Sequence, residues 1–412
     1  RHPTQAVPLD EARALDAGDP LAFARERFRL PDGIIYLDGN SLGAMPASAP
    51  ARVAQTVEAE WGKDLITSWN RHDWIGLPQR LGAGISRLIG AASDEVAVCD
   101  STSVNLFKLL AAALDARPGR RIILTEQGNF PTDLYIADGL ARMAGATVHA
   151  VPAEEIGPAL GDDVAVLMLT QVDYRSGRRH NMAALTAAAH QAGALTLWDL
   201  SHSAGAIAVD LNGCGADLAV GCGYKYLNGG PGAPAFLYVR RDLQDGLSNP
   251  SCGWMGHAAP FAFTDDYVPA PGLNRFLTGT PSVVAMAALE AGLATFDGVE
   301  MAALDAESAK LSEAFIEAVE AACPALRLAS PRDPAMRGSH VVFAHPDAYP
   351  IMQALIARGV IGDVREPDLL RFGFAPLYNR IEDVVDAARI LADVMDTRAF
   401  DRPEFHQRAA VI

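Results

Sequence analysis

The sequence predicts an α/β protein, with a mostly parallel seven-stranded sheet covered by helices on both faces and a smaller α/β domain at the C-terminal end. Three observations predict it. Short β-rich runs alternate with alanine-rich helical stretches between about residue 80 and residue 240, the rhythm of strand–helix–strand units. The buried-looking run Ala194-Leu-Thr-Leu-Trp198 ends abruptly in Asp199, and the carboxyl ends of parallel strands are where open sheets place ligand-binding groups. The chain of 412 residues is long enough for a large core and a second, smaller domain.

Taken in order, the candidate strands are Val96 to Cys99, Arg121 to Thr125, Thr147 to Val151, Val164 to Thr170, Leu195 to Asp199, Leu218 to Cys222 and Phe236 to Val239. Pro131 to Gly145 and Met182 to Gly193 have the length and composition of covering helices. The stretch from Gly246 to Pro281 breaks the rhythm: it is rich in Pro, Gly and aromatic residues and lacks either period. So long an irregular segment inside a compact domain is more often functional than idle. Beyond it, Ser282 to Asp297 and Met301 to Cys323 read as helices, and strand-like Val341 to Ala344 and Leu370 to Phe374 alternate with helical Tyr349 to Arg358 and Ile381 to Met395. The expected division is an N-terminal segment, 1–50, beside the small domain, then a large domain, 51–281, and a small domain, 282–412.

Charge and cysteine content exclude several classes. With 34 Lys and Arg against 50 Asp and Glu the net charge is −16, a field that repels phosphate backbones and anionic membranes, so neither nucleic acid nor membrane is an expected partner. Five cysteines without a C-x-x-C pair or closely spaced histidines give neither a disulfide framework nor a metal site. No run reaches the ~20 apolar residues of a membrane span, and Arg1-His-Pro-Thr-Gln5 lacks a signal-peptide core. A cytoplasmic location is expected.

The chemistry begins at Lys225, which stands in the mostly apolar, glycine-rich stretch Leu218 to Gly232. A lysine there either closes a strand in a tight turn or supplies an amine able to condense with a carbonyl. Asp199 supplies the complement. Pyridoxal phosphate needs a lysine for its aldehyde and a carboxylate to keep its pyridine nitrogen protonated. At Val96-Ala-Val-Cys-Asp100 followed by Ser101-Thr-Ser103 and an apolar helix, a strand runs into three hydroxyl residues at a helix start. That junction serves either as an N-cap or as an anion cradle; beside Lys225 and Asp199 the cradle is favoured.

Six segments extend this reading: Tyr36-Leu-Asp-Gly-Asn-Ser-Leu-Gly43, Phe130-Pro-Thr-Asp133, Trp198-Asp-Leu-Ser-His202, Gly223-Tyr-Lys-Tyr-Leu-Asn228, Gly253-Trp-Met-Gly-His257 and Arg371-Phe-Gly-Phe-Ala-Pro-Leu-Tyr-Asn379. Over essentially its whole length the chain resembles the kynureninase family of pyridoxal-phosphate enzymes, which have the fold-type I aminotransferase-like architecture. The Asp and Lys segments are widespread in that architecture, whereas the Asn-Ser-Leu-Gly and Trp-Met-Gly-His segments are narrow marks of this family.

The resemblance implies that Lys225 carries the cofactor and Asp199 pairs with its pyridinium nitrogen. It implies phosphate contacts from Thr102, Ser103 and Tyr224, a ring stack from Phe130, and edge contacts from Asp133, Thr170 and His202. Trp254 and Thr280 would arrive from the second subunit of a homodimer whose active sites lie at the subunit interface. Arg371 would clamp the substrate α-carboxylate, with Ser41 facing the substrate. A bland alternative for Arg371 is a surface ion pair with Glu366 or Asp368.

The activity implied is hydrolytic cleavage of L-kynurenine, and of its 3-hydroxy form where Thr280 allows, to anthranilate (or 3-hydroxyanthranilate) and L-alanine. Lys225, Asp199 and Tyr224 would be the catalytic residues. This reaction belongs to tryptophan catabolism by the kynurenine pathway, which also feeds NAD biosynthesis. The competing readings are another fold-type I enzyme, such as a cysteine desulfurase or a small-acid aminotransferase, and a non-catalytic protein on the same scaffold.

Overall fold

A computed structural model describes residues 7–411; the opening residues Arg1 to Gln5, read above for the lack of a signal-peptide core, lie outside them. The seven expected strands form one sheet. They are β1 (Val96–Val98), β2 (Ile122–Glu126), β3 (Thr147–Val151), β4 (Val164–Thr170), β5 (Leu195–Asp199), β6 (Leu218–Gly221) and β7 (Phe236–Val239). Their spatial order is β1-β7-β6-β5-β4-β2-β3. Every neighbouring pair is parallel except those made by β7, which runs antiparallel to both β6 and β1.

Alternation along the strands explains why both faces are covered. In β4, Leu167 and Leu169 join one apolar core while Val166 and Met168 join another, because successive side chains of a strand point to opposite faces. Helices Thr102–Ala116 and Pro131–Ala144 close one face through Leu106, Leu109, Ala137 and Leu140. Met182–Gln191 and Val283–Ala294 close the other through Met182, Ala189, Met286 and Leu289. The change to the small-domain core comes along helix Met301–Ala322: Leu304 packs with the large sheet and Leu311 with the small one.

The small sheet is antiparallel, in the order β10-β11-β9-β8, where β8 is Arg327–Leu328, β9 His340–Ala344, β10 Asp363–Arg365 and β11 Leu369–Gly373. The N-terminal segment is tied to it. The two-residue strand Ile35–Tyr36 runs parallel to Val360–Ile361, the Leu37 amide donates to the Ile361 carbonyl at 2.7 Å, and the Gly373 amide donates to the Leu37 carbonyl at 2.7 Å.

The stretch from Gly246 to Pro281 starts at the end of the 3-10 turn Arg241–Gly246 and then contains two more, Trp254–Gly256 and Gly272–Phe276, with no α-helix or strand. It is anchored from below. The fully buried Lys108 ammonium donates to Asp100 at 2.5 Å and to the Phe276 carbonyl at 2.7 Å, satisfying a charge that burial would otherwise penalise heavily.

Candidate active site

The carboxyl ends of the central strands and the start of helix Thr102–Ala116 enclose a cavity of about 260 Å³. Thr102, Ser103, Phe130, Asp133, Thr170, Asp199, His202, Tyr224 and Lys225 all line it, so topology gathers residues spread over more than a hundred positions. Ser101 takes the capping role, accepting from the Val104 amide at 3.2 Å. That leaves Thr102 and Ser103 facing the cavity, and the Thr102 hydroxyl is buried without a hydrogen-bond partner among the described residues.

Asp199 closes β5 and is buried; one carboxylate oxygen accepts from the Ser201 amide at 2.8 Å. Asp133, one turn into helix Pro131–Ala144, is pushed well above the carboxylate range by burial and then by the nearby charge of Asp199. Thr170 donates to Asn129 at 2.6 Å and lies 3.4 Å from Asp133, which fixes this edge.

Lys225 Nζ lies 3.3 Å from His202 Nε2 and 5.9 Å from the centre of the Phe130 ring. Burial, then the positive charge of Lys225, holds His202 well below the usual imidazole range, so its ring is neutral. Tyr224 is pushed up to about 12, mainly by burial, and remains a phenol at neutral pH. The loop carrying Lys225 is braced by the Asn-Ser-Leu-Gly segment. The Gly43 amide donates to the Tyr224 carbonyl at 2.9 Å, and a Cβ at Gly43 would stand 2.4 Å from the Lys225 carbonyl oxygen. Only glycine permits that approach.

Arg371 and Ser41 form an adjoining group. Arg371 is fully buried in β11, which corrects the alternative of a surface pair with Glu366 or Asp368. Its partner is Asp363: Nε donates to Oδ1 at 2.7 Å and Nη2 to Oδ2 at 2.5 Å. Nη2 also donates to Ser41 Oγ at 2.9 Å, and Nη1 to the Tyr174 carbonyl at 2.7 Å. The Tyr174 ring in turn packs edge-on against Phe130, 5.2 Å between centroids, and lines the cavity. The arginine group therefore abuts the lysine cavity through one shared residue.

Within one chain Trp254 and Thr280 stand apart from this cavity. Trp254 packs against Trp69 and Phe261 at centroid distances of 5.9 and 5.6 Å, and Thr280 is exposed.

Near-full-length relatives decide the family. The chain is 54% identical to a kynureninase of Burkholderia mallei (strain SAVP1), with 98% of this chain and 99% of that protein covered. It is 50% identical to a kynureninase of Pseudomonas fluorescens at the same coverage of both. The chain belongs to the kynureninase family. The family's C-terminal domain profile matches residues 304–391. Among solved structures, a cysteine desulfurase from Thermococcus onnurineus NA1 superposes with a TM-score of 0.77 at 18% identity, covering 91% of this chain and 98% of that one. A cysteine desulfurase from Escherichia coli superposes at 0.76 and 20% identity, covering 92% and 98%. The fold is thus the fold-type I architecture expected from the sequence.

The cofactor of the kynureninase family is pyridoxal 5'-phosphate, and the cavity fits it. A helix start with an unpartnered buried hydroxyl suits a phosphate, a buried carboxylate at a strand end suits a pyridinium nitrogen, and an amine beside a neutral imidazole suits an aldehyde.

Three residues in or beside this cavity were not reached from sequence. Asp363 holds the arginine; its signal lies in strand pairing, since it is the register partner of Arg371 across β10 and β11. Tyr174 contributes chiefly a backbone carbonyl, which carries no residue-type signal. His340 is buried in β9 with both ring nitrogens unpartnered among the described residues, its ring 5.2 Å from that of His202.

Proposed function

We propose that this chain hydrolyses the Cβ–Cγ bond of L-kynurenine, adding one water and releasing anthranilate and L-alanine. The observation that carries the reading is Tyr174, whose ring abuts the lysine cavity while its carbonyl accepts from the buried Arg371. An amino acid with its amine at Lys225 and its carboxylate at Arg371 has Cα held between the two groups, and the side chain that carries the Cβ–Cγ bond projects from that fixed carbon.

The bound cofactor supplies an electron sink for charge developing at the substrate's Cα and for the electron pair of the breaking bond. The chain's residues do the rest. Asp199 holds the proton on the pyridine nitrogen, while Thr102, Ser103 and the helix start hold the phosphate, with Tyr224 reaching it. Phe130 covers the ring; Asp133, Thr170 and His202 hold its edge. Arg371 and Ser41 orient the α-carboxylate by a fork of charge-assisted hydrogen bonds. Lys225 Nζ, once free, takes the proton from Cα, with neutral His202 orienting it. Tyr224, protonated at neutral pH, passes a proton to the departing side.

Two chains pair so that Trp254 and Thr280 of each reach the other's site. This is supported by the absence of both from the lining of their own cavity and by the exposed apolar surface of Ile66, Phe261 and Phe263 around Trp254. A cytoplasmic location is supported by the unpaired state of all five cysteines; among the described residues no helix is long and apolar enough to cross a membrane. The desulfurase reading is disfavoured because Cys252, exposed in the Gly246 to Pro281 stretch, does not line the cavity, while Cys222, which does, is buried with its thiol pushed up by that burial.

The test is release of fluorescent anthranilate from L-kynurenine by the cofactor-loaded protein without a keto acid, with 3-hydroxykynurenine run in parallel. Dependence on a keto acid would identify an aminotransferase, and saturation without product a non-catalytic scaffold. Lys225→Ala is expected to lose both the visible absorbance of the lysine-bound cofactor and all turnover; retained cleavage in that variant would sink the assignment.

A further inference from the structure

Arg371 is expected to grip a carboxylate, yet in this structure a carboxylate of the chain already occupies one edge of it. A guanidinium has two edges that accept a carboxylate in bidentate fashion: the side edge of Nε and Nη2, and the end edge of Nη1 and Nη2. Asp363 fills the side edge through both of its oxygens. The end edge has weaker occupants, the Ser41 hydroxyl on Nη2 and the Tyr174 carbonyl on Nη1. Ser41 also donates to Asp363 Oδ2 at 2.7 Å, so the acid orients both substrate-facing groups at once.

The sheet sets this geometry. Asp363 and Arg371 are direct cross-strand partners in β10 and β11, and side chains so paired project from the same face of the sheet. Both are almost completely buried. Burial alone would raise the acid, but the hydrogen bond and charge of Arg371 outweigh it and hold Asp363 below the usual carboxylate range.

We propose that Asp363 is a positioning residue for amino-acid carboxylates: it locks the side edge of Arg371 and aims Ser41, leaving the end edge for the ligand. The inference rests on the proposed role of Arg371 as the carboxylate clamp. It predicts a selective defect. In cofactor-loaded Asp363→Asn, the Kd for L-alanine measured by calorimetry and the KM for L-kynurenine rise by about 10- to 100-fold, the effect of one hydrogen bond to a charged group, while kcat is largely kept. Binding of kynuramine, the substrate's counterpart without the carboxylate, is unchanged. Combining Asp363→Asn with Arg371→Lys weakens L-alanine binding no further than Arg371→Lys alone.

An unchanged Kd for L-alanine overturns the proposal, as does an equal loss for kynuramine, which would mark a general structural role. If Asp363→Asn does not fold, Asp363→Glu takes its place and must show the same carboxylate-selective loss in smaller degree. Wild-type protein that binds L-alanine as described but releases no anthranilate would overturn the kynurenine reading and leave the role of Asp363 standing.

Discussion

Lys225 Nζ sits 3.3 Å from His202 Nε2, and the other ring nitrogen of that histidine is buried without a partner among the described residues. The neutral ring gives the lysine a fixed neighbour without adding a second positive charge. His202→Leu is expected to lower kcat by about 10- to 100-fold, the worth of a hydrogen bond to a charged group, with His202→Gln recovering part of the loss. Because His202 is held well below its ordinary range, His202→Gln should reproduce the wild-type pH profile between about pH 5 and 8, the window in which an unperturbed histidine would titrate. Anthranilate release across that range checks both points. A wild-type limb that vanishes in the glutamine variant would show that His202 titrates there.

Asp199→Asn keeps the shape of the buried side chain and removes its charge. Losing one partner of a buried charged pair costs about 2–5 kcal/mol, roughly 30- to several-thousand-fold in rate. Turnover is expected to fall by that factor with the circular dichroism spectrum and cofactor content retained. A variant with wild-type kcat would remove Asp199 from the pyridine nitrogen.

Asp38 gives a prediction for stability against pH. It is buried beside Asp363, with Arg371, Arg365 and Ser41 also facing it. Burial first, and the neighbouring acid second, push it up to about 8. An acid raised in the folded state keeps its proton on folding, so its contribution is complete below about pH 4, the ordinary carboxylate value, and is lost progressively as pH rises to about 8. Asp38→Asn cannot ionise, so relative to the wild type it should gain stability as pH rises from 5 to 8. Thermal unfolding at the two pH values measures this, and an unchanged difference between the proteins would contradict it.

The large sheet was legible because its strands are dense apolar runs punctuated by turn residues. Lys225 and Asp199 were legible because a charged residue at the end of such a run is conspicuous. Tyr174 and Asp363 were not. A carbonyl acts through the backbone that every residue shares, and β10, Asp363–Arg365, is three residues with charges at both ends that no periodicity marks. Glu366 and Asp368 stand closer to Arg371 in sequence, but strand register rather than proximity along the chain chooses the partner; Glu366 pairs with Arg408 instead. The Trp254 segment was legible as a motif, and its expected service to the second subunit's site came from the family resemblance, since no pattern in the residues themselves marks it.

The parallel pairing of Ile35–Tyr36 with Val360–Ile361 bears on the order in which the protein is made. A chain emerging from the ribosome exposes its N-terminal residues first, and completed domains fold as units during synthesis. The large sheet has all of its strands once Val239 is out, but Leu37 finds its partners only at Ile361 and Gly373. The loop bearing Ser41 therefore waits through some three hundred residues of translation before its final support exists. Arg371 and the partners of Leu37 all emerge late, so the arginine group with Ser41 has its full set of contacts only near the end of synthesis.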